Sequence, residues 1–365
     1  MSTSLIRPNV LELEPYSPGK PIEEVKRELG LTDVVKLASN ENPLGPSPRA
    51  IEAAMQAMQR VNLYPDGSCY ELRQAVAKHL GVPPDYLLFG NGSDELIHFI
   101  GLTFLQPGDE VITGDPSFVR YEAAAKLNNA PLHLVPLREH RFDLPAILER
   151  VNERTKLVFI ANPNNPTGTV VTADEAEAFM SALPEHVVVV WDQAYHEYVS
   201  RPDYPDTLRY VREGRNAIIL RTFSKAYALA GLRVGYAVAR PELIDAMNRV
   251  REPFNVNSVA QAAALAALED QEHLCRAVEL NRRALEYFYQ HFERLGLRYV
   301  RSEANCVMVD LGRDSQPVFQ ALLRKGVIVR TGHIFGLPTY LRVTTGKPEE
   351  NERFICALEE VLQEG

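Results

Sequence analysis

The chain has 365 residues, of which 45% are hydrophobic and 24% are charged, and its formal net charge is -9 at pH 7. This composition is ordinary for a globular protein, and the mixed charges argue against a nucleic-acid partner, which would favour a clustered basic face. The length exceeds the size at which one hydrophobic core stops growing, so we expect one large domain and one smaller domain.

The cysteines and histidines predict a reducing compartment and no bound metal. Cys69, Cys275, Cys306 and Cys356 are far apart and form no CxxC pair, and the nine histidines show no metal-binding spacing. Residues 1–10 lack the apolar core of a signal peptide, and no run approaches the roughly 20 apolar residues of a membrane helix. We therefore predict a cytoplasmic protein that binds no membrane.

The predicted elements begin after an N-terminal arm, residues 1–42, which prolines interrupt and which we expect to pack on the small domain or on a partner subunit. Short β-rich runs then alternate with helical patterns, as in a mainly parallel sheet flanked by helices. The predicted strands are 86–89, 110–113, 157–161, 187–191 and 217–220. The predicted helices are 48–60, 68–80, 94–104, 173–182 and 241–248. Together they predict a large domain over residues 43–255.

A second, smaller α/β domain is predicted over residues 256–365. A helical signal runs from 259 to 295, and it links the large domain to the small one. The remaining predictions are strands at 304–311, 327–330 and 340–344 and helices at 316–325 and 349–363. The predicted fold class is therefore α/β, with a mostly parallel central sheet and a smaller C-terminal α/β domain.

Polar residues follow three neighbouring predicted strands. Residues 157–161 run into Asn162-Pro163-Asn164-Asn165-Pro166-Thr167-Gly168, residues 187–191 end at Asp192, and residues 217–220 end shortly before Lys225. Ligands of open α/β sheets bind outside the carboxyl ends of the strands. We therefore expect these three strand ends to meet at one crevice.

Lys225 is the candidate reactive group of that crevice. It lies in Arg221-Thr222-Phe223-Ser224-Lys225-Ala226-Tyr227, and Arg233 follows it between Gly231 and Gly235. A lysine that loses its proton forms a Schiff base with a carbonyl. Lysines taken alone are usually solvated loop residues, but hydroxyls and an arginine beside this one indicate a phosphate-bearing ligand with a reactive carbonyl.

The turn Gly90-Asn91-Gly92-Ser93-Asp94-Glu95 joins a predicted strand to a predicted helix. Backbone amides at a helix N-terminus bind anions, and glycine permits a close approach. Simple helix capping by Ser93 is the alternative interpretation. Thr222, Ser224 and Arg233 would complete a phosphate cradle here.

Asp192 is the candidate charge partner of the ligand. It follows four consecutive valines and a tryptophan, so it is predicted to be buried, and a buried carboxylate needs a partner. A structural salt bridge would give the same pattern. A pyridinium nitrogen would also serve, with Tyr195 and Asn165 placed to bond an oxygen on the same ring.

These residues resemble the pyridoxal-phosphate-dependent aminotransferases of the aspartate aminotransferase fold, which is fold type I of the cofactor's enzymes. The resemblance spans nearly all of the chain, and several segments are similar to the histidinol-phosphate branch of that family. Those segments are Pro15-Tyr16-Ser17-Pro18-Gly19-Lys20, Ser39-Asn40-Glu41-Asn42-Pro43, Tyr64-Pro65-Asp66-Gly67, Gly92-Ser93-Asp94-Glu95, the Asn-Pro-Asn-Asn-Pro-Thr-Gly run, Ser224-Lys225-Ala226 and Leu341-Arg342-Val343-Thr344.

The resemblance implies roles for individual residues around pyridoxal 5'-phosphate. Lys225 would hold the cofactor as a Schiff base and then move the substrate α-proton, while Asp192 would pair with the pyridine nitrogen. Tyr195 and Asn165 would bond the phenolic oxygen, and Phe118 would stack on the ring, with Tyr121 as the competing choice. The residues implied around the phosphate are Gly92, Ser93, Asp94, Thr222, Ser224, Arg233 and, from the neighbouring subunit of a homodimer with shared active sites, Tyr64.

The resemblance also implies the substrates. Arg342 would bind an anionic group of the substrate or the carboxylate of glutamate, and Arg330 and Tyr16 would bind the phosphate of histidinol phosphate. The implied ping-pong reaction converts L-histidinol phosphate and 2-oxoglutarate to imidazole acetol phosphate and L-glutamate, a step of histidine biosynthesis. Gln193 departs from the family, since many relatives have Asp-Glu-Ala-Tyr where this chain has Asp-Gln-Ala-Tyr, but it is not an implied ring contact.

Three alternatives remain open at this point. An aromatic amino-acid aminotransferase or a decarboxylase of phosphorylated amino acids would use the same cofactor residues. A ligand-binding protein that keeps the fold without turnover is the third, and the presence of Lys225, Asp192 and Arg233 together argues against it. A dinucleotide-binding dehydrogenase is excluded, because no GxGxxG follows the first strand.

Overall fold

The computed structural model describes residues 5–15 and 19–364 of the chain. The helices are α1 (Pro8–Leu11), α2 (Ile22–Leu29), α3 (Pro48–Met58), α4 (Tyr70–Leu80), α5 (Ser93–Phe104), α6 (Arg120–Leu127), α7 (Leu144–Arg150), α8 (Ala173–Ala182), α9 (Thr207–Arg212), α10 (Pro241–Asn248), α11 (Ser258–Glu269), α12 (Gln271–Arg294), α13 (Ser315–Arg324) and α14 (Pro348–Glu364). None of these described helices is long and apolar enough to cross a membrane.

The strands form three sheets. They are β1 (Val35–Lys36), β2 (Leu87–Gly90), β3 (Glu110–Asp115), β4 (Leu132–Pro136), β5 (Thr155–Ala161), β6 (Val188–Asp192), β7 (Ala217–Thr222), β8 (Gly235–Val238), β9 (Arg298–Val300), β10 (Cys306–Asp310), β11 (Val327–Ile328), β12 (Arg330–Thr331) and β13 (Tyr340–Thr344). The predicted α/β class is confirmed.

A seven-stranded sheet in the order β2-β8-β7-β6-β5-β3-β4 is the centre of the larger part. The pairs from β7 to β4 are all parallel, and β8 runs antiparallel to both of its neighbours. Strands β5, β6 and β7 are buried along nearly their whole length. Parallel strands covered on both faces read as continuous apolar runs, which is why the sequence predicts them well.

The sequence prediction missed two strands of this sheet. Strand β8 has only four residues and begins at Gly235, in a segment interpreted as a glycine-punctuated tail of the lysine loop. Strand β4 lies at the sheet edge and is mostly half-buried or exposed, so its pattern lacks a continuous apolar run. Both differences arise because short or edge strands carry little local signal.

The smaller part has an antiparallel sheet in the order β12-β13-β10-β9. Its core includes Phe288 and Phe292 of α12 and Phe354 of α14, whose rings contact one another. Strand β1 pairs in parallel with β11, so residues 35–36 of the N-terminal arm join this part of the molecule. Val25 of α2 packs with Ile328 in a small cluster beside it.

Helix α11 lies beyond the predicted boundary at residue 255, yet its alanines pack in the core of the seven-stranded sheet. Ala260, Ala263, Ala264 and Ala267 are all buried there. The predicted helical segment 259–295 is two helices, because Asp270 interrupts it and its side chain accepts from the backbone N–H of His273 to cap α12. The division of the chain at residues 42 and 255 stays a prediction.

Candidate active site

The ends of β5, β6 and β7 lie side by side, as predicted. Asp192 is opposite Ala161 on one side and Leu220 on the other. A cavity of about 190 Å³ opens at this edge of the sheet. Its lining includes the predicted residues Ser93, Asp94, Phe118, Asn165, Asp192, Tyr195, Thr222, Ser224, Lys225, Arg233, Arg330 and Arg342. The structure therefore brings most of the predicted set into one place.

Lys225 lies in the loop that follows β7. The loop is held by hydrogen bonds from the Leu229 N–H to the Phe223 carbonyl at 2.9 Å and from the Ala228 N–H to the Lys225 carbonyl at 2.9 Å. Burial, and secondarily the positive charge of Arg342, lower the pKa of Lys225 to about 8. Near neutral pH an appreciable fraction of this amine is therefore unprotonated and nucleophilic.

Asp192 is the last residue of β6 and is only 5% exposed. Its carboxylate accepts hydrogen bonds from the Tyr121 hydroxyl at 2.8 Å and from the Ala194 N–H at 3.2 Å. Burial raises the pKa of Asp192 to about 6, against the lowering effect of these two bonds. The positive charge of Lys225 is only a minor influence on the pKa of Asp192, so a cationic ring nitrogen in the cavity would give this buried carboxylate a direct charged partner.

Tyr195 and Asn165 approach the cavity from different strand ends. The Tyr195 hydroxyl accepts a hydrogen bond from Asn40 Nδ2 at 2.9 Å, and burial raises the pKa of Tyr195, so the hydroxyl keeps its proton. Asn165 Oδ1 accepts from Arg342 Nη1 at 2.7 Å, which leaves the amide N–H groups of Asn165 for another acceptor. The pair can therefore present donors to a ring oxygen.

The N-terminus of α5 and Arg233 form a cradle. Gly92 has a φ of 79°, and a Cβ added to it would overlap the Arg233 guanidinium, so only glycine fits. Arg233 Nη1 donates to Ser224 Oγ at 3.3 Å, and its Nη2 lies 3.7 Å from the Asp94 carboxylate. The Thr222 hydroxyl accepts from the Ser224 N–H at 3.0 Å. Helix N–H groups, hydroxyls and a guanidinium in one concavity suit a phosphate.

The two candidate stacking residues differ in their surroundings. Tyr121 is 1% exposed, and its ring stacks on Phe159 with 4.7 Å between centroids. Phe118 is only partly buried, lines the cavity and meets Tyr121 edge-on at 5.7 Å. Because Tyr121 already stacks on a protein ring and bonds Asp192, the geometry favours Phe118 against a bound ring, and this role stays a prediction.

Two arginines close the cavity on the side of the smaller sheet. Arg330 and Arg342 are opposite each other on β12 and β13. Arg342 Nη2 donates to the Ala38 carbonyl at 2.7 Å, whereas its Nε is buried without a partner. Both arginines, with Phe118 and Asn165, also line a neighbouring cavity of about 300 Å³. Adjacent guanidiniums, one with an unsatisfied N–H, indicate an anionic ligand.

Gly92 and Tyr64 are the described residues of the predicted set that do not line this cavity, although Gly92 directly precedes Ser93 at the start of α5. Tyr16 lies outside the described residues. Tyr64 is 83% exposed, stacks on Phe254 at 4.8 Å and is not among the residues that line the cavity of its own chain. Its predicted contact with a neighbouring subunit stays a prediction.

The chain matches the model of the family described as aminotransferase class I and II over residues 32–358. It belongs to this family. The aminotransferase is 55% identical over 357 residues to the histidinol-phosphate aminotransferase of Moorella thermoacetica, which covers 98% of this chain and 92% of the relative. It is 51% identical to the protein of the same name from Caldicellulosiruptor saccharolyticus, over 98% of this chain and 100% of the relative.

Solved structures agree with this placement. The crystal structure of the histidinol-phosphate aminotransferase from Sinorhizobium meliloti, in complex with pyridoxal-5'-phosphate, is similar with a TM-score of 0.92 and 30% identity over 99% of this chain and 98% of the other. The aspartate aminotransferase of Thermus thermophilus with maleate is similar with a TM-score of 0.85 and 26% identity over 98% of this chain and 99% of the other.

The site of this aminotransferase contains residues to which the sequence analysis gave no role. Asn40 lines the cavity and bonds the Tyr195 hydroxyl, and its Nδ2 is 3.3 Å from Cys306 Sγ. The sequence predicts Tyr121 only as an alternative stacking residue, not as the donor to Asp192. Asn40 lies in Ser39-Asn40-Glu41-Asn42-Pro43, and the resemblance of this segment to the family is the signal that could have identified it.

Gln193, the departure from the family pattern, does not line the cavity. Its Oε1 accepts from the Arg221 guanidinium at 3.1 Å, and its Nε2 donates to the Tyr204 hydroxyl at 3.0 Å. The side chain is therefore engaged away from the ligand, as expected for a residue that is not a ring contact.

Proposed function

We propose that this chain is a pyridoxal-phosphate-dependent aminotransferase that converts L-histidinol phosphate and 2-oxoglutarate to imidazole acetol phosphate and L-glutamate in histidine biosynthesis. The observation that carries the proposal is the single cavity in which the Lys225 amine, the Asp192 carboxylate and the arginine cradle meet. The histidinol-phosphate substrate is supported by relatives of that name at about 50% identity over almost the whole chain.

The residues present fit the cofactor. Gly92, Ser93, Asp94, Thr222, Ser224 and Arg233 would hold its phosphate, Asp192 its ring nitrogen, Asn165 and Tyr195 its ring oxygen, and Phe118 its ring face. Pyridoxal phosphate supplies an aldehyde and an electron sink for chemistry at the substrate α-carbon. Lys225 contributes the amine, and its lowered pKa lets the same nitrogen accept a proton from that carbon and return it.

The substrates would use the cavity in turn, as a ping-pong mechanism requires. Arg342 binds a carboxylate or phosphate through N–H groups that its bonds to Asn165 and Ala38 leave unused. Arg330 binds the phosphate of histidinol phosphate from the adjacent strand, in the larger neighbouring cavity. Tyr16 is the further phosphate ligand that the family resemblance implies.

We also propose a homodimer with shared active sites. We assign to the interface Tyr64, which is exposed and stacks on Phe254, and the exposed apolar side chains of Ile51, Met55 and Met58 on α3. An apolar surface of this kind marks a protein interface. The four free cysteines, two of them exposed, support a reducing, cytoplasmic location.

The test is an absorbance measurement on the purified, cofactor-loaded protein. Addition of L-histidinol phosphate without a keto acid should abolish the visible absorbance band of the cofactor bound to Lys225, and addition of 2-oxoglutarate should restore that band. Lys225→Ala should lack the band at the start, since its amine is missing. A protein that ignores histidinol phosphate but bleaches with phenylalanine would be an aromatic amino-acid aminotransferase. A protein that never acquires the band would contradict the proposal as a whole.

A further inference from the structure

Asn40 is a buried polar residue that the proposed function leaves without a role. It is 2% exposed and lies in the loop after β1 with a φ of 52°. Asparagine enters this left-handed region more readily than most residues, but such a conformation persists only where the surroundings fix it. Its carbonyl accepts from Asn305 Nδ2 at 3.0 Å, and its other polar groups are also bonded.

The orientation of the Asn40 amide follows from Thr344. The Asn40 backbone N–H donates to Thr344 Oγ1 at 3.0 Å, so the single proton of that hydroxyl is available for Asn40 Oδ1 at 2.9 Å. Oδ1 is therefore the acceptor and Nδ2 the donor. Nδ2 lies 2.9 Å from Tyr195 Oη and 3.3 Å from Cys306 Sγ, so its two protons have two acceptors.

This arrangement determines what the Tyr195 hydroxyl can do. Its oxygen accepts from Asn40, so its own proton is not used in that bond. Tyr195 lines the cavity next to Lys225, whose Nζ is 5.5 Å from the centre of the Tyr195 ring. We propose that Asn40 is a positioning residue that directs the Tyr195 O–H proton into the cavity, towards the ring oxygen of the bound cofactor. The inference rests on the proposed function.

Asn40 makes the alignment of that proton depend on both sheets. Thr344 and Cys306 are opposite each other on β13 and β10 of the smaller sheet. Tyr195 follows β6 of the larger sheet. Asn40 therefore orients the Tyr195 hydroxyl, which follows a strand of the larger sheet, through side chains of the smaller sheet. The Tyr195 proton points towards the cofactor only when the two sheets have this relative position.

The test is a pH titration of the visible absorbance of the cofactor-loaded enzyme. Asn40→Asp keeps the shape and the tolerance of positive φ but replaces the donor with an acceptor, to which the Tyr195 proton would turn. Asn40→Gly removes the donor without adding charge and also accepts the backbone conformation. In both variants the midpoint of the absorbance titration should rise by about one to two pH units. The reason is that the Tyr195 hydroxyl no longer donates to the ring oxygen, a hydrogen bond that stabilises the unprotonated form of the bound cofactor.

Asn281→Asp is the matched control. Asn281 is also buried, its Nδ2 donates to the Ala304 carbonyl at 3.2 Å, and its Oδ1 accepts from Thr345 at 2.8 Å. This variant should lose thermal stability in the cofactor-free protein but keep the wild-type midpoint. A wild-type midpoint in both Asn40 variants, or an equal rise in Asn281→Asp, would overturn the proposal.

A third variant covers a failure of the Asn40 variants to fold. Thr344→Val keeps Asn40 but removes the hydroxyl that fixes its amide, and the midpoint should again rise. An unchanged midpoint in Thr344→Val would overturn the proposal. If the wild-type protein develops no band that depends on Lys225, the proposed function has failed, which distinguishes that result from a failure of the role of Asn40.

Discussion

Burial shifts the pKa values of two charged side chains of the cavity, Asp192 and Lys225, away from their ordinary values. Burial raises the pKa of Asp192 to about 6 and lowers the pKa of Lys225 to about 8, so the two values approach each other. Folding then opposes the charged form of both groups. The contribution of Asp192 to stability is lost as pH rises from about 4 through about 6, and that of Lys225 recovers as pH rises from about 8 towards 10.5.

Because burial of the charged Asp192 carboxylate destabilises the folded state, Asp192→Asn should stabilise the cofactor-free protein. A shift from 3.8 to about 6 corresponds to about 3 kcal/mol of unfolding free energy at pH 7, as an order of magnitude. The gain should shrink as pH falls through 6 and vanish near pH 4, where the carboxyl is protonated in both states. Urea unfolding at several pH values and one protein concentration measures it.

Asp85→Asn, at an exposed aspartate, serves as the control and should show no such gain. Equal stability of Asp192→Asn and the wild-type protein at pH 7 would mean that burial of the charged Asp192 carboxylate does not destabilise the folded protein. The same variant should bind the cofactor less tightly, since the ring nitrogen loses its charged partner.

At the scale of the elements, close contacts constrain the start of α5. Gly92 meets Arg233, and a Cβ added to Gly235 of β8 would lie 2.7 Å from the Ser93 backbone nitrogen. Strand β8 therefore packs directly beneath the first turn of the helix. The antiparallel strand that the sequence did not predict is what brings Arg233 to the cradle.

Gly92→Ala should weaken cofactor binding by at least about tenfold, because the added methyl displaces the Arg233 guanidinium and removes about one charge-assisted hydrogen bond. Fluorescence titration of the cofactor-free protein measures the affinity. Gly81→Ala is the control, since Gly81 has a φ of 63° but no neighbour within 4 Å of an added Cβ. If Gly81→Ala weakened cofactor binding as much as Gly92→Ala, the loss would come from backbone strain and not from displacement of Arg233.

The sequence predicted those parts of the site that local patterns encode. Asn165, Asp192 and Lys225 follow apolar runs, and the rule that ligands bind at the carboxyl ends of parallel strands places them together. Asn40 carries no such signal, because its partners Tyr195 and Thr344 are 155 and 304 residues away in the chain. The predicted strands at 157–161 and 217–220 were correct for the same reason that β8 was missed: burial on both faces produces long apolar runs, and four residues beginning at a glycine do not.

At the scale of the whole molecule, one apolar surface has no partner within the described chain. Met55 is 67% exposed on α3, whose opposite side packs on α11. Tyr64, which follows α3 in the chain, and Phe254, on which it stacks, are also exposed. Single exposed hydrophobic residues are common, but a group of them on neighbouring segments indicates an interface.

Met55→Glu should therefore shift the protein towards monomers, because a charge would be buried in the proposed interface. Sedimentation velocity over a range of concentrations measures the shift. Leu134→Glu, on the exposed edge strand β4, is the control and should leave self-association unchanged. A Met55→Glu protein that associates as strongly as the wild type would place the interface elsewhere.

The pairing of β1 with β11 has a consequence for biosynthesis of the chain. Val35 is opposite Val327, so the ribosome must make nearly 300 further residues before the first strand finds its neighbour. The larger sheet, whose strands all lie between residues 87 and 238, can assemble from the nascent chain much earlier. The segment that carries Asn40 follows β1, so it cannot be fixed against the smaller sheet until β11 has been made. Asn40 is made early, but it can join the active site only after its partners Cys306 and Thr344 have been made.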